Sequence, residues 1–492
     1  MTLAAAASLL LVAQAGPAPR PVELGVLLGR MVELSPELAD AVLAVRVAAA
    51  EERRALAPLD LALEGSGGAS RSVLNSPSLG QVYGELEARE ALSAAKGFST
   101  GTRVSLEQQL VHGASPNALR PLEAALGFST PDQYLYDLST VTLTVTQPLL
   151  RGAWEGAAMA GHRAALRGVD AAKLRRLSEL SKAAVRVAAA YDALYVREQE
   201  LEIAARAAER DARELSLTQK RISLGIVPAS DLLRLQQAIA ARAEQEIAAR
   251  LATADAERQL RAELGLPPGG DRIATAPEPA APAPRTDRRA VTEAALASHP
   301  SVLAARQEVE RRRELLARAQ DAARPSLDLS AYAGSTGFDP GSPAGALLQT
   351  VRGQRAVYGA ELTFRYPLDG GAAARADVEQ ASAELARAEA AQARAGQEAS
   401  RAAEAAADAV ENAVERLEVA EKAVALAKQV LEAERDRYGQ GRGTLLDVLS
   451  AEAAVSDAER RRARVQADLH LARFTLQAAT GALTLELAGR GP

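Results

Sequence analysis

The chain has 492 residues and no cysteine, which excludes a disulfide framework and a thiolate metal site. Charged residues make up 25% of it and the net charge is −5, so the basic excess typical of nucleic-acid-binding proteins is missing. Only 3% of the residues are aromatic, while Ala, Leu, Glu and Arg dominate long stretches, as in long helices and coiled coils. The sequence contains no phosphate-binding loop, nucleophile motif or paired histidines, so we expect no enzyme, cofactor or metal site.

The N-terminus resembles a secretory signal peptide. An apolar run covers residues 3–12, and Ala13 and Ala15 follow it in the spacing of a cleavage site. The run is too short to cross a bilayer as a helix. Residues 1–15 are therefore predicted to be a signal peptide, although no lysine or arginine precedes the run, and the mature chain is expected to be exported.

The rest of the chain contains an internal duplication. The stretch RISLGIVPASDLLRLQ (221–236) has a counterpart in RYGQGRGTLLDVLSAE (437–452), and TQPLLRG (146–152) has one in RYPLDGG (365–371). Ordered matches of this kind indicate a duplicated unit. The predicted domains are a first repeat, a Pro-rich linker, a second repeat and a C-terminal tail, at 16–268, 269–290, 291–482 and 483–492.

Each repeat is predicted to begin with a helix, at about 35–57 and 299–324, and to continue with short alternating strands. The strand candidates are LDLAL (59–63), RVSLEQQL (103–110), VTLTVTQ (141–147), LDLSA (327–331) and AELTFRY (360–366). The segment 65–140 is expected to be an external loop or an additional hairpin. Which of the first two candidates pairs with 141–147 stays open.

A long helix, a glycine-containing break and a second long helix are predicted to follow the strands in each repeat. A helix over about 153–223 would be roughly 105 Å long, which no compact globule accommodates. Its apolar residues follow a heptad spacing, interrupted only by Glu198. A second seam runs without interruption through Val410, Ala413, Leu417, Ala420, Val424, Ala427 and Leu431. We therefore expect a coiled coil, a helical bundle or the wall of a tube.

The strands have one apolar and one polar face, which fits a membrane barrel and an ordinary half-buried sheet equally well. Two strands for each repeat would give four in the chain, which is too few to close a water-filled barrel. An open sheet in lipid would leave unpaired edges. If the strands lie in a membrane, several chains must share one barrel, and three chains would supply twelve strands.

The breaks between the long helices are predicted to be tight turns. Gly441 and Gly443 allow the backbone to reverse, and Thr444 can cap the next helix. In the first repeat Gly225 is expected to make the turn, and Ser230 is the candidate cap.

The combination of strands, P-L-x-x-G, long helix, G-x-x-x-x-x-D turn and second long helix, all duplicated, resembles the outer-membrane efflux protein family, the TolC-like channels. The resemblance covers nearly all of the chain after residue 15. It implies a mainly α fold with a β membrane part. As a homotrimer, the chain would form a 12-stranded β-barrel in the outer membrane of a diderm bacterium and a 12-helix α-barrel across the periplasm.

The resemblance also implies roles for residues at the turns. Asp447 matches an aspartate that narrows the pore entrance, and Ser450 stands where some members carry a second aspartate. Tyr438 and Asp231 match positions that hold neighbouring helices together when the channel is closed. A basic partner of some members is replaced by Gly443. Asp231 and Asp447 could equally be helix-start acids that complement the helix dipole.

The family implies that the turns at Gly225, Gly441 and Gly443 dock a periplasmic adaptor protein, and that Ser230 lies with Asp231 at the periplasmic tip, by the pore entrance. The implied function is a passive exit duct of a tripartite efflux or type I secretion system, which reaches an inner-membrane pump through the adaptor. Outer-membrane lipid is an expected partner and nucleic acid is not. The alternative is a soluble periplasmic coiled-coil adaptor or structural protein, against which the duplication argues. The cargo cannot be predicted from these residues.

Overall fold

The computed structural model describes residues 21–76, 81–116, 120–129, 131, 133–223, 228–276, 287–366 and 371–483. The predicted signal peptide and the turn at Gly225 lie outside these residues, as do the middle of the linker and most of the tail. The chain divides into a helical unit (residues up to 45, 172–305 and from 392) and a sheet unit (46–171 and 306–391). Each unit takes residues from both predicted repeats, so the predicted domain boundaries stay predictions.

Helices make up most of the described chain. In chain order they are α1 Leu24–Leu34, α2 Pro36–Leu56, α3 Arg120–Ala125, α4 Trp154–Ala158, α5 Ala160–Ser223, α6 Ala229–Glu263, α7 Arg288–Ser298, α8 Pro300–Ala322, α9 Pro343–Val351, α10 Ala372–Gly439 and α11 Leu445–Ala479. The two longest, α5 and α10, have 64 and 68 residues, which confirms the prediction of one very long helix in each repeat. None of the described helices has both the length and the hydropathy needed to span a lipid bilayer.

The predicted heptad seams form the core of the helical unit. On α5 the buried residues recur at the predicted spacing, and they pack with α1 and α6 in one apolar cluster. On α10, Val410, Ala413, Val424 and Leu431 are buried, as the second seam predicts. Alanine at alternate seam positions lets neighbouring helices approach closely, which explains the high alanine content.

Glu198, the interruption of the first seam, has a structural reason. Its carboxylate accepts hydrogen bonds from the backbone N–H (3.0 Å) and the hydroxyl (2.5 Å) of Thr275. Thr275 lies in a two-residue strand, β6 (Ala274–Thr275), which pairs in parallel with β1 (Pro21–Val22). The hydroxyl of buried Tyr191 donates to the backbone oxygen of Val22 at 3.0 Å. The polar position in the seam thus fastens a short sheet to α5.

The sheet unit contains one antiparallel sheet of six strands. Its order follows the chain, as β2 Leu61–Ser76, β3 Gln81–Gly97, β4 Arg103–Pro116, β5 Gln133–Pro148, β7 Ser326–Asp339 and β8 Ala356–Arg365. The prediction of four strands is therefore wrong. The segment 65–140 does not leave the sheet as a loop, because β3 pairs with β2 on one side and with β4 on the other. The strand that pairs with 141–147 is β4, since Leu106 lies opposite Leu143.

The two faces of this sheet differ in chemistry, as the alternation predicts. One face, called the apolar face below, carries large exposed apolar side chains on all six strands. They are Leu61, Leu63, Leu86, Leu92, Leu106, Leu143, Val145, Leu329, Tyr358, Leu362 and Phe364. The opposite, polar face carries Glu87, Arg89, Glu107, Thr142, Thr144, Asp328, Glu361 and Arg365.

Helix α9 lies on the apolar face. Its Thr350 hydroxyl donates to the backbone oxygen of Ser139 at 3.0 Å, and Gly337 makes room because a Cβ there would clash with the backbone of Ala346. The residues of α9 that face the sheet are small or polar, while Leu347, Leu348 and Val351 are exposed. This arrangement is the reverse of an ordinary amphipathic surface helix.

Candidate functional site

The described helix–helix turn joins α10 to α11 and contains two of the predicted glycines. Gly441 has φ 68°, in the left-handed region that side chains disfavour. Its N–H donates to the Tyr438 oxygen at 3.0 Å, and the Gly443 N–H donates to the Arg437 oxygen at 3.1 Å. A Cβ on Gly443 would lie 3.2 Å from the Tyr438 nitrogen, so a side chain there would crowd the end of α10. The glycines are therefore required by the tightness of this turn.

Helix α11 begins with a capping box, which confirms the predicted cap at Thr444. The Asp447 N–H donates to the Thr444 hydroxyl oxygen at 3.3 Å. In return the Asp447 carboxylate accepts from the Thr444 N–H (3.0 Å) and hydroxyl (2.7 Å). These two hydrogen bonds from Thr444 lower the pKa of Asp447 below its ordinary value. Asp447 is exposed, so its helix-capping role leaves the charge in contact with solvent.

Ser450 lies one turn further along α11 and is also exposed. Its hydroxyl donates to the Leu446 oxygen at 2.8 Å, within its own helix. It therefore adds no charge beside Asp447.

The start of α6 differs from the prediction. The N-cap is Pro228, without a side-chain hydrogen bond, and Ser230 lies inside the first turn. The prediction of Ser230 as a cap is therefore wrong, because Pro228, whose ring fixes φ, takes the cap position two residues earlier. The Asp231 N–H donates to the Pro228 oxygen at 3.1 Å, so Asp231 lies in the first turn, where its charge complements the helix dipole.

Tyr438 is held by a cation that the sequence did not single out. The guanidinium of Arg221, on the last turn of α5, lies 5.2 Å from the centre of the Tyr438 ring. Burial raises the pKa of Tyr438 above its ordinary value, and Arg221 opposes that rise. Tyr438 thus has a basic neighbour from the other long hairpin.

A buried ionic network links all four long helices of the helical unit. Arg242 of α6 pairs with Asp211 of α5 and lies 3.3 Å from Glu452 of α11. The other oxygen of Glu452 accepts from Arg435 of α10 at 2.7 Å. Asp211 and Glu452 are only 3% and 9% exposed. Burial raises the pKa of Asp211, and the adjacent Arg242 opposes that rise.

The network lies beside an open groove of about 620 Å³. Its walls come from α5, α6 and α11, and they include Arg234, Arg242, Ser450 and Arg460. Small residues such as Ala204, Ala207 and Ala453 leave the space open. Sequence reasoning missed the groove and the network because a quarter of the residues are charged and no spacing marks one arginine among them.

The described residues include no cluster of His, Asp or Glu that could hold a metal ion. The candidate site is therefore a set of helix contacts and exposed charges at the α10–α11 turn and along the adjoining helices. Such an arrangement can bind a partner or control the spacing of helices.

Comparisons with known proteins agree with this architecture. Residues 291–482 match the family model for the outer membrane efflux protein. The outer-membrane channel OprN matches with a TM-score of 0.65 and 16% identity, over 93% of this chain and 89% of that chain. The outer membrane protein VceC of Vibrio cholerae matches with a TM-score of 0.63 and 18% identity, over 93% and 96%. A sequence search of curated proteins finds no match.

The outer-membrane channel MtrE of Neisseria gonorrhoeae also matches, with a TM-score of 0.63 and 18% identity, over 93% of this chain and 88% of that one. The structural matches show the shared fold across both predicted repeats, and the family model adds a sequence match to the second. The resemblance predicted from the sequence is thereby confirmed. Residues 291–482 match the outer membrane efflux protein family, and the chain has the fold of the outer-membrane channels to which it is similar.

Proposed function

We propose that the chain is the outer-membrane exit duct of a tripartite efflux or type I secretion system, and that it works as a homotrimer. The sheet carries the proposal, because one of its faces is apolar and exposed and the other is polar. A sheet of this kind suits a barrel with lipid outside and water inside. The match of residues 291–482 to the outer membrane efflux protein family supports a passive duct, for which an inner-membrane pump is proposed to supply the transport energy.

Helix α9 supports a lipid environment for the apolar face. The side chains that it turns away from the sheet include Leu347 (40% exposed), Leu348 (49%) and Val351 (74%). Exposure of these apolar side chains to water is unfavourable, because it forgoes the free energy that their burial would provide. In lipid the same side chains already lie in an apolar environment. The same contrast argues against the soluble coiled-coil adaptor considered from the sequence.

The turns of the helical hairpins are proposed to dock a periplasmic adaptor protein. The α10–α11 turn exposes Gln440, Gly441 and Arg442. Because Gly441 has no side chain, its backbone is accessible at the surface of the turn. A hairpin of the adaptor could then approach the backbone closely. The turn at Gly225, outside the described residues, is proposed to act in the same way.

Asp447 is proposed to line the periplasmic entrance of the duct. In a trimer its carboxylate would occur three times around the axis, and a ring of carboxylates attracts cations and repels anions. Because Ser450 adds no second ring, the selectivity would depend on Asp447 alone among the predicted entrance residues. Tyr438 and Asp231 are proposed to help hold the entrance closed, with Arg221 as the partner of Tyr438.

Particle images of the detergent-extracted protein test the proposed function. A cylinder with three-fold symmetry and a detergent belt at one end is the expected result. A monomeric particle, or one without a detergent belt, would contradict it. A deletion strain that lacks the duct supplies the activity test, because the wild-type chain should restore export of a fluorescent efflux substrate.

A further inference from the structure

The sheet of the sheet unit has two open edges in the described part of the chain. β2 is bonded on one side to β3, and β8 is bonded on one side to β7. Residues 61–71 of β2 are exposed on both faces, and so are all but two residues of β8. Neither strand carries the proline or covering helix that usually protects an edge. An unpaired edge in lipid would leave backbone groups without hydrogen-bond partners, at several kcal/mol for each group.

The two edges are complementary to one another. With six strands in an antiparallel order, β2 and β8 run in opposite directions. Leu61, the first residue of β2, therefore lies at the same end of the sheet as Arg365, the last residue of β8. A second copy that follows the first around an axis would place its β2 antiparallel to β8, as ladder formation requires.

The side chains at the edges also match. Leu61 and Leu63 on β2 are 64% and 72% exposed, and Leu362 and Phe364 on β8 are 61% and 62% exposed. All four lie on the apolar face and near the same end of the sheet. Joining the edges would continue the apolar face from one copy to the next without a change of side.

On the polar face the edges carry charges that disfavour some alignments. Glu64 belongs to β2, and Glu361 and Arg365 belong to β8. An alignment with Leu63 opposite Phe364 places Glu64 opposite Thr363, with Arg365 and Glu361 on its two diagonals. Like charges directly opposite one another are unfavourable, and this alignment avoids them.

We infer that the β2–β3 hairpin forms part of the barrel wall, so that three copies close a barrel of eighteen strands instead of twelve. The inference rests on the proposed trimer, and it concerns the partner of β2, which is β8 of the next copy. For strands spaced about 4.8 Å and tilted about 40°, eighteen strands give a diameter of roughly 36 Å, against roughly 24 Å for twelve. The duct would then have a wider outer-membrane pore.

A twelve-stranded barrel would require the hairpin to leave the sheet. β3 is paired with β4 through twelve residue pairs, from Leu86↔Ala114 to Gly97↔Arg103. Releasing this ladder would expose the edge of β4 in place of that of β2. The apolar face also continues across the hairpin, since Leu92 and Leu86 of β3 lie on the same side as Leu106 of β4.

Glu90 belongs to a band of polar side chains that crosses the apolar face. It lies opposite Leu110, next to the level of His112 and Asp137, whose side chains pair at 2.6 Å. Polar side chains therefore interrupt the apolar face at this level on β3, β4 and β5, with Leu86 beyond them on β3. The hairpin thus shares this polar band with β4 and β5, as strands of one continuous wall should.

Disulfide cross-linking tests the inference, because the natural chain has no cysteine. The double variant Leu63→Cys/Phe364→Cys joins β2 to β8, and Leu106→Cys/Phe364→Cys joins β4 to β8. Both are expressed in outer membranes, oxidised, and analysed on denaturing gels beside the single-cysteine variants. To allow for a shifted register, Leu362→Cys replaces Phe364→Cys in a parallel set.

Covalent trimers from the β2–β8 pair, without any from the β4–β8 pair, are the expected result. Cross-linking of the β4–β8 pair alone would overturn the inference in favour of twelve strands. Failure of every pair would overturn it as well, because the edges would then not meet.

Particle images separate failure of this inference from failure of the proposed function. A three-fold particle with a barrel diameter near 36 Å supports both. A three-fold particle with a diameter near 24 Å keeps the proposed duct and overturns the eighteen-stranded wall. A particle without three-fold symmetry overturns both.

Discussion

Arg242 and Glu452 lie 3.3 Å apart although 210 residues separate them in the chain. Arg242 also pairs with buried Asp211, and Glu452 also binds Arg435. One arginine therefore connects helices α5, α6 and α11, and one glutamate extends the contact to α10. Buried charges of this kind specify which helices meet and in what register, a role that apolar seams of alanine and leucine fill poorly.

Removing Arg242 is expected to destabilise the helical unit strongly. Arg242→Met would leave Asp211 and Glu452 buried without their shared cation, and breaking a buried pair in this way costs about 3–5 kcal/mol. Circular dichroism of the detergent-solubilised protein during denaturation would measure the loss. The matched control is Arg213→Met, because Arg213 forms an exposed pair with Glu209 and should change stability by less than about 1 kcal/mol.

A triple variant tests whether the cause is the unpaired charge. Arg242→Met combined with Asp211→Leu and Glu452→Leu removes both carboxylates along with the cation. Apolar replacement of a whole buried ionic group is often neutral or stabilising. The triple variant is expected to recover most of the stability that Arg242→Met loses. A further loss would show that packing, or the unpaired charge of Arg435, contributes more to the destabilisation than the unpaired carboxylates do.

The contact between Arg221 and Tyr438 gives a second prediction. Tyr438→Phe keeps the ring and should change stability little, whereas Tyr438→Leu removes the cation–π contact and should cost about 1 kcal/mol. Single-channel recording in planar bilayers should show higher closed-state conductance for the leucine variant only. If Tyr438→Phe loses as much stability and raises the closed-state conductance as much as Tyr438→Leu does, Arg221 interacts with the hydroxyl and not with the ring.

The turn residues show how far the sequence could lead. Gly441 and Gly443, the Thr444 cap and the heptad seams are local patterns, and the structure confirms each of them. The sheet was underestimated because β2 and β3 contain many small and charged residues, such as the GSGGAS stretch at 65–70, which favour loops when judged locally. Their strand state follows from the pairing of β2 with β3 and of β3 with β4, which the pattern of a single strand does not contain.

The contacts of the candidate site could not be predicted for a related reason. Arg221 reaches Tyr438, and Arg242 reaches Glu452, across more than two hundred residues. Ion pairs at helical spacing, such as Arg250 with Glu246, are visible in the sequence. Pairs between helices depend on the rotation of each helix about its axis, which the alanine-rich seams leave loosely defined.

The cap at the start of α11 is expected to stabilise the turn. Thr444→Val keeps the shape of the side chain but removes its hydroxyl, and loss of such a cap costs about 1 kcal/mol. Thr444→Ser should retain nearly all of the stability because serine caps as well as threonine does. Hydrogen exchange of the first turn of α11 would report the difference, and equal protection in both variants would show that the cap does not limit the opening of this turn.

Asp447 should keep its charge in moderately acidic solution. Hydrogen bonds from Thr444 lower the pKa of Asp447 below that of an ordinary aspartate, so the carboxylate protonates only as the pH falls through the lowered value. The capping contribution is likewise complete above the ordinary aspartate pKa of about 3.9 and is lost as the pH falls through the lowered pKa of Asp447. Block of the channel by hexaamminecobalt(III), measured in planar bilayers, is expected to persist from pH 7 to about pH 4.

The variant Asp447→Asn separates the charge from the cap. Its amide oxygen can still accept the hydrogen bonds from Thr444, but it cannot bind a multivalent cation by charge. Cation block should therefore disappear at every pH while the stability of the turn changes little. Unchanged block would assign Asp447 to the helix start alone.

A bulky charge at the α10–α11 turn is expected to abolish efflux without reducing the amount of trimer. Gly441→Arg introduces both a large side chain and the backbone strain of a residue at φ 68°. Gly441→Ala carries the same strain without the bulk, so it is the matched control and should retain most of the efflux. Gln440→Arg adds the charge at an exposed neighbouring position without the strain.

Efflux by cells and the amount of trimer on native gels are measured for all three variants. If Gly441→Ala fails as badly as Gly441→Arg, the turn is needed for folding and the proposed adaptor contact loses its support; if Gly441→Arg exports normally, no adaptor approaches this turn.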